Sequence, residues 1–203
     1  MKYEWLNREN NSEIIVFFNG WGMDENIVSH LDFDGYDVLM FYDYNSLETD
    51  FDFSLLNKYS KRYLTAWSMG VMTATLFDID YASKTAINGT LKPIDDNFGI
   101  PKRIYNLTVK NFSESGAEKF IKNMFSRTTV LPKINRDFEN IKTELSALLN
   151  YEAKQDFTYD RIILSSNDMI IPTKNQSAFW GIEPNMEGGH APFLCFKKWS
   201  ELL

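Results

Sequence analysis

Short apolar runs separated by polar turn residues recur along the chain, and their spacing predicts a strand and helix alternation. Lys2–Leu6 and Glu13–Phe18 read as two strands joined by the polar turn Asn7–Ser12. Asp37–Phe41, Arg62–Ala66, Lys84–Asn88 and Arg161–Ser165 read as further short strands. Between them, Glu25–Leu31, Phe53–Tyr59, Met69–Asp80, Lys174–Trp180 and Phe193–Leu202 carry helical patterns, and a last strand is expected at Ile182–Met186. This rhythm predicts an α/β fold, with a compact and mostly parallel sheet flanked by helices.

The rhythm breaks between about Gly89 and Gln155, where the amphipathic signals are helical. Ser115-Gly-Ala-Glu118 resembles a capping box ahead of Phe120, Ile121, Met124 and Phe125. Asn135 is a candidate cap for a second helix over Arg136–Asn150. There Phe138, Ile141, Leu145, Leu148 and Leu149 form one apolar face, and Lys142 and Glu144 are expected to face elsewhere. We expect one domain over residues 1–203, with a helical cap insertion at about 89–155.

In a parallel sheet, ligands bind beyond the carboxyl ends of the strands. Ala66-Trp67-Ser68-Met69-Gly70 places a serine between small residues where a strand turns into a helix, the pattern of a nucleophile elbow, with alanine in place of the usual first glycine. Asp168 follows a strand and precedes Pro172, and His190 follows Gly188 and Gly189. A serine hydroxyl needs an imidazole to take its proton, and the imidazole needs an acid to hold its tautomer. The order Ser68, Asp168, His190 is that of α/β-hydrolases. An ordinary Asn-Asp turn is the competing reading of Asp168. Asn19-Gly20-Trp21-Gly22 follows another strand, and the backbone N–H groups of Trp21 and Met69 are candidate oxyanion donors. His30 reads as a capping or surface histidine.

Composition narrows the function classes. A net charge of −7 argues against general nucleic-acid binding. No apolar run is long enough to span a bilayer, and the N-terminal residues lack a signal-peptide pattern, so a cytoplasmic protein without membrane association is expected. The single cysteine, Cys195, is expected to be a small buried side chain. Against the acidic background, residues 101–142 hold nine basic and four acidic residues. That segment is either a solvated helical surface or a docking face for an acidic partner.

Phe17-Phe-Asn-Gly-Trp-Gly22, Phe41-Tyr-Asp-Tyr44, Ala66-Trp-Ser-Met-Gly70, Ala86-Ile-Asn-Gly-Thr90, Asp95-Asp-Asn-Phe-Gly-Ile-Pro101 and Gly189-His190 together resemble the BioG-type pimeloyl-acyl carrier protein methyl ester esterases. The resemblance covers nearly the whole chain and implies an α/β-hydrolase of biotin synthesis that needs no cofactor or metal. It maps the nucleophile onto Ser68, the acid onto Asp168, the base onto His190 and the oxyanion loop onto Trp21 and Met69. It also implies an acyl carrier protein partner, for which Lys119, Lys122, Arg127, Lys133 and Arg136 are docking candidates. Trp21, Trp67, Met69 and Phe125 are candidate walls of an acyl channel, with core packing as the alternative for each. Asn19 stands where many α/β-hydrolases have histidine, and Val71 where some have glycine. Asp43, Asp95 and Asp96 have no assigned role beyond turn or sheet-edge hydrogen bonding. A broader carboxylesterase or thioesterase, or a noncatalytic binding protein of the same fold, remains the alternative.

Overall fold

The fold is taken from a computed structural model, which describes residues 1–125 and 131–203. Strands β1 (Lys2–Asn7), β2 (Glu13–Phe18), β3 (Asp37–Tyr42), β4 (Lys61–Trp67), β5 (Ser83–Ile87) and β6 (Arg161–Ile163) form one sheet in the order β1-β3-β2-β4-β5-β6. Only the β1–β3 edge pair is antiparallel; β2 through β6 run parallel. The alternation of side chains along β2 divides the core. Ile14, Val16 and Phe18 join Leu39, Phe41, Leu64 and Ala66 on one face, while Ile15 and Phe17 join Val38, Met40 and Ile163 on the other. Both faces of β2 are thus sealed, as the apolar run without interior polar positions implies.

Helices cover the sheet less fully than the sequence suggests. Helix α1 (Gly70–Thr73) passes into a 3-10 turn over Ala74–Leu76, well short of Asp80. Expected helices at 25–31 and 53–59 are 3-10 turns, Glu25–Ile27 and Phe53–Lys58, capped by Asp24 and Asp52. The C-terminal helix is two such turns, Phe193–Cys195 and Trp199–Leu202, because an extended stretch between them pairs Lys198 with Asp32. No strand forms over Ile182–Met186. The side chain of Asn185 accepts the Leu164 N–H, and Pro184 has no N–H to offer, so only a Ser165–Met186 bridge remains.

Between β5 and β6 lie α2 (Lys102–Asn111), α3 (Glu114–Met124) and α4 (Phe138–Ala147), with α5 (Thr173–Trp180) beyond β6. The caps fall elsewhere than expected. Ser113, rather than Ser115, accepts the Gly116 N–H, and Asp137, rather than Asn135, accepts the Asn140 N–H. Tyr105 of α2 and Leu145 of α4 enter the first core face, while Met124 of α3 enters the second.

Candidate active site

Three of the parallel strands deliver their C-terminal loops to one place. At the end of β4, Ser68 holds φ at +57°, a strained value for a non-glycine residue and the mark of a sharp strand-to-helix elbow. Its backbone N–H bonds to Ile87 O of β5 at 3.0 Å, which locks the elbow to the next strand. Gly70 makes the turn possible, since a Cβ there would stand 2.2 Å from Phe18 O. The loop after β2 comes equally close: a Cβ on Gly20 would lie 2.8 Å from the Trp67 ring and 3.3 Å from Ser68 Cβ.

At this elbow the three side chains meet. His190 Nε2 lies 2.8 Å from Ser68 Oγ, and His190 Nδ1 lies 2.7 Å from Asp168 Oδ2. All three are buried, with Ser68 6% exposed and His190 1% exposed. Asp168 is held on every side. Its Oδ1 accepts the N–H groups of Ile170 and Ile171 at 2.8 and 3.0 Å, and Oδ2 also accepts Gln176 Nε2 at 2.8 Å. A carboxylate bonded in this way can only accept, so the proton on His190 sits on Nδ1 and Nε2 is free to receive the serine proton. The Asn-Asp turn reading of Asp168 therefore accounts for Oδ1, which caps the Ile170 and Ile171 N–H groups, and leaves out Oδ2, which faces His190.

The candidate oxyanion donors share one property. Among the described residues, neither the Trp21 nor the Met69 N–H has a hydrogen-bond acceptor, although their neighbours are engaged. Gly20 N–H donates to Asn19 Oδ1 at 2.8 Å, and Gly22 N–H donates to Glu144 Oε2 at 3.2 Å. Two unengaged N–H groups beside a buried hydroxyl suit an oxygen that develops negative charge.

Glu144 carries no chemical signal in the sequence, and its expected outward orientation is wrong. It is fully buried on α4, where it also accepts the Tyr44 N–H at 2.9 Å and pairs with Arg136 at 2.7 Å. Burial pushes its carboxyl above the usual carboxylate range, partly offset by the Arg136 charge. Arg136 likewise departs from its assignment as a docking residue. Its side chain is only 6% exposed and is shared between Glu144 and Asp43, 3.3 Å away. Asp43 thus acquires a role as an ion-pair hub, with Lys2 at 2.9 Å. Burial raises its carboxyl, but hydrogen bonds from Asn45 and Lys2, the Arg136 charge and Asn140 outweigh burial and hold it at about 2. Asp95 accepts the Asn97 and Phe98 N–H groups, and Asp96 accepts the Lys102 N–H at the start of α2, as turn residues.

Of the other candidates, Lys119, Lys122 and Lys133 are exposed, and Arg127 lies outside the described residues. A cavity of about 280 Å³ opens beside the Trp21–Met23 loop, walled by Trp21, Phe112, Phe120, Phe138 and Ile141. Trp21 is the one proposed channel residue on its lining. Trp67 is fully buried with its indole N–H on His190 O, Met69 packs in the first core cluster, and Phe125 packs against the second. Cys195 is exposed, against its expected burial, since it lies two residues past the buried Phe193 and so faces away from the core. His30 is exposed and bonds to Phe193 O at 2.9 Å. Among the described residues, no group of three or more His, Cys, Asp or Glu side chains is placed to hold a metal, and no helix is long and apolar enough to cross a membrane.

Comparison with known proteins agrees on the fold and narrows the chemistry. Residues 1–202 match the family described as Pimeloyl-ACP methyl esterase BioG. The crystal structure of BioG from Haemophilus influenzae superposes with a TM-score of 0.88 at 33% identity, covering 100% of this chain and 99% of that one. A Bacteroides fragilis protein named malonyl-[acyl-carrier protein] O-methyltransferase is 36% identical over 180 residues, which is 83% of this chain and 36% of that protein. This chain therefore spans about a third of that relative's length. A hydrolase from Oleispira antarctica, at 13% identity with a TM-score of 0.63, covers 95% of this chain and 89% of its own and shares the α/β-hydrolase fold.

Proposed function

The chain belongs to the pimeloyl-ACP methyl esterase BioG family, and from that membership we propose that it is a serine esterase. It hydrolyses the methyl ester of pimeloyl-acyl carrier protein methyl ester, releasing methanol and the carrier-bound acid in biotin synthesis. The observation that carries this reading is the continuous hydrogen-bond chain from Ser68 Oγ through His190 to Asp168, with steps of 2.8 and 2.7 Å.

In the mechanism that follows, His190 Nε2 takes the Ser68 proton as Oγ attacks the distal ester carbonyl. The tetrahedral oxyanion receives the Trp21 and Met69 N–H groups, each such donor contributing about 2.7 to 4 kcal/mol to the transition state. Collapse breaks the carbon–methoxy bond, and imidazolium protonates the departing methoxide. His190 then deprotonates a water that attacks the acyl-serine, and a second collapse returns that proton to Ser68 and frees the carboxylic acid, which ionises into solvent. Asp168 keeps the Nδ1 proton in place throughout.

The acyl chain fits the aromatic cavity beside Trp21, lined from α3 and α4, which together with α2 we read as a cap on the hydrolase domain. The carrier remains outside, where Lys119, Lys122 and Lys133 offer positive charge to an acidic partner. A name for methylating a carrier-bound acid, borne by the longer Bacteroides fragilis relative, supports a carrier-bound methyl ester as the substrate class. Such a substrate supports a cytoplasmic site for the reaction.

The test is mass-resolved hydrolysis of pimeloyl-carrier methyl ester by wild type and Ser68→Ala. Loss of the methyl group with the thioester intact, absent in Ser68→Ala, is the expected result. Folded wild type that cleaves a small aryl ester but leaves the carrier substrate untouched would refute the substrate assignment and leave a broader esterase.

A further inference from the structure

The imidazole of His190 is aimed by Ser68 and Asp168, but those bonds do not place its backbone. Residues 187–190 form no helix or strand, and Gly188 holds φ at +147°, so the segment depends on individual hydrogen bonds for its position. Two come from backbone groups: Asn167 N–H to Gly188 O at 3.0 Å, and Ala191 N–H to Met124 O at 3.0 Å. The carbonyls of Gly189 and His190 are served by side chains.

Asn88 is the side chain that serves both. It follows β5, is 1% exposed, and holds φ at +43°, a conformation asparagine tolerates better than most residues. Its backbone N–H bonds to Ile163 O at 3.0 Å, carrying the β5–β6 ladder one residue further. Its Nδ2, whose two hydrogens are shared among three acceptors, lies 2.9 Å from His190 O, 3.1 Å from Gly189 O and 2.8 Å from Ser165 Oγ, while Oδ1 accepts the Ser165 N–H at 2.8 Å. Only this amide orientation satisfies the partners, because carbonyls need donors and the Ser165 N–H needs an acceptor. Trp67 Nε1 supplies a second donor to His190 O at 2.8 Å.

We propose that Asn88 is a positioning residue for the reaction, fixing the backbone of His190 so that its Nε2 stands between Ser68 and the leaving group. This rests on His190 acting as the base. The sheet's rigid β5 end thereby sets the register of a loop that has no regular structure of its own. A displacement of about 1 Å at this point costs on the order of 100-fold in rate.

Asn88→Asp tests the proposal while preserving shape. It replaces the donating Nδ2 with an oxygen facing two carbonyls, so the His190 backbone must move away. The readout is the ratio of two activities. Methoxide leaves only when His190 returns a proton to it, whereas nitrophenolate departs unprotonated. A misplaced base therefore slows methyl-ester cleavage more than the acylation burst with a p-nitrophenyl ester. A loss of folded protein instead lowers the burst amplitude and leaves the burst rate constant unchanged, so methyl-ester kcat is expressed per active site counted from that amplitude.

We expect Asn88→Asp to lower kcat on the methyl ester about 100-fold. The burst rate should fall at least tenfold less, with KM changed by no more than about twofold. Should Asn88→Asp fail to fold, Asn88→Gly, which accepts the same φ and introduces no repulsion, carries the same ratio test. An unchanged ratio in a folded variant would overturn the proposal. His190→Ala is assayed alongside. Turnover retained in His190→Ala would refute His190 as the base, whereas an unchanged Asn88 ratio with inactive His190→Ala would sink only the positioning role.

Discussion

Glu144 Oε2 accepts the backbone N–H of Gly22 at 3.2 Å, so a carboxylate on α4 holds the residue next to the proposed oxyanion donor Trp21. The indole of Trp21 reaches the same helix, donating to Ile141 O at 2.8 Å. Helix α4 and the loop after β2 are tied as one mechanical unit. Glu144→Ala would leave the Gly22 and Tyr44 N–H groups and the Arg136 charge short of a partner. The expected cost is about 3 kcal/mol of stability or more, with kcat reduced at least tenfold in the protein that remains folded. Denaturant unfolding and kcat on a small ester measure the two separately, and wild-type kcat in folded Glu144→Ala would contradict the linkage.

Gln176 donates to the Asp168 oxygen that also faces His190. Gln176→Leu removes this donor without adding charge, and we expect kcat to fall about tenfold. Gln176→Glu should be worse, because a second carboxyl then opposes Asp168. Steady-state kinetics on the pair of variants, with circular dichroism as the folding control, checks the order.

The exposed lysines of the α3 region predict a salt effect confined to carrier substrates. Raising ionic strength from about 0.05 to 0.5 M should raise KM for the acyl-carrier ester several-fold and leave a small neutral ester nearly unchanged. Lys119→Glu with Lys122→Glu should mimic high salt. Equal salt dependence of both substrates would argue against docking through this face.

Asp43 ties acid stability to the α4 anchor. Its ordinary carboxylate value is 3.8, and the folded protein holds it at about 2. On acidification the unfolded chain takes up this proton first. The stability Asp43 contributes, at most about 2 kcal/mol, is thus full above its unfolded value and lost as pH falls from about 4 to 2. Asp43→Asn should be less stable than wild type at about pH 6, with the gap in Tm narrowing towards pH 2. Glu144 acts in the opposite sense, since its raised carboxyl favours proton uptake by the folded form.

Gly70→Ala is a steric test of the elbow. The added methyl would meet Phe18 O at 2.2 Å, and backbone cannot yield there without opening the β2–β4 pairing. We expect destabilisation of about 4 kcal/mol or more, seen as a shifted urea midpoint or as failure to accumulate folded protein.

The strands were legible because their signals are local. A run such as Ile14–Phe18 states both its length and its burial, and the order of Ser68, Asp168 and His190 needs only strand ends to interpret it. What escaped was set by distant partners. Glu144 and Arg136 read as solvated charges on a helix face until residues 22, 43 and 44, about a hundred positions away, enclose them. Glu25–Leu31 and Phe193–Leu202 have helical periodicity, but long-range pairing such as Asp32 with Lys198 competes with continued helix, and the chain settles into short turns.

Trp67 bridges the two loops that flank Ser68. Its ring packs against Gly20 on the loop after β2 and against Phe193, with its centroid 5.3 Å from that of His190, and its N–H donates to the His190 carbonyl. An indole enclosed in this way is a built-in optical gauge. In a variant whose Trp5, Trp21, Trp180 and Trp199 are replaced by phenylalanine, the remaining emission belongs to Trp67 and reports the hydration and hydrogen bonding of the loop that carries His190, without an attached label.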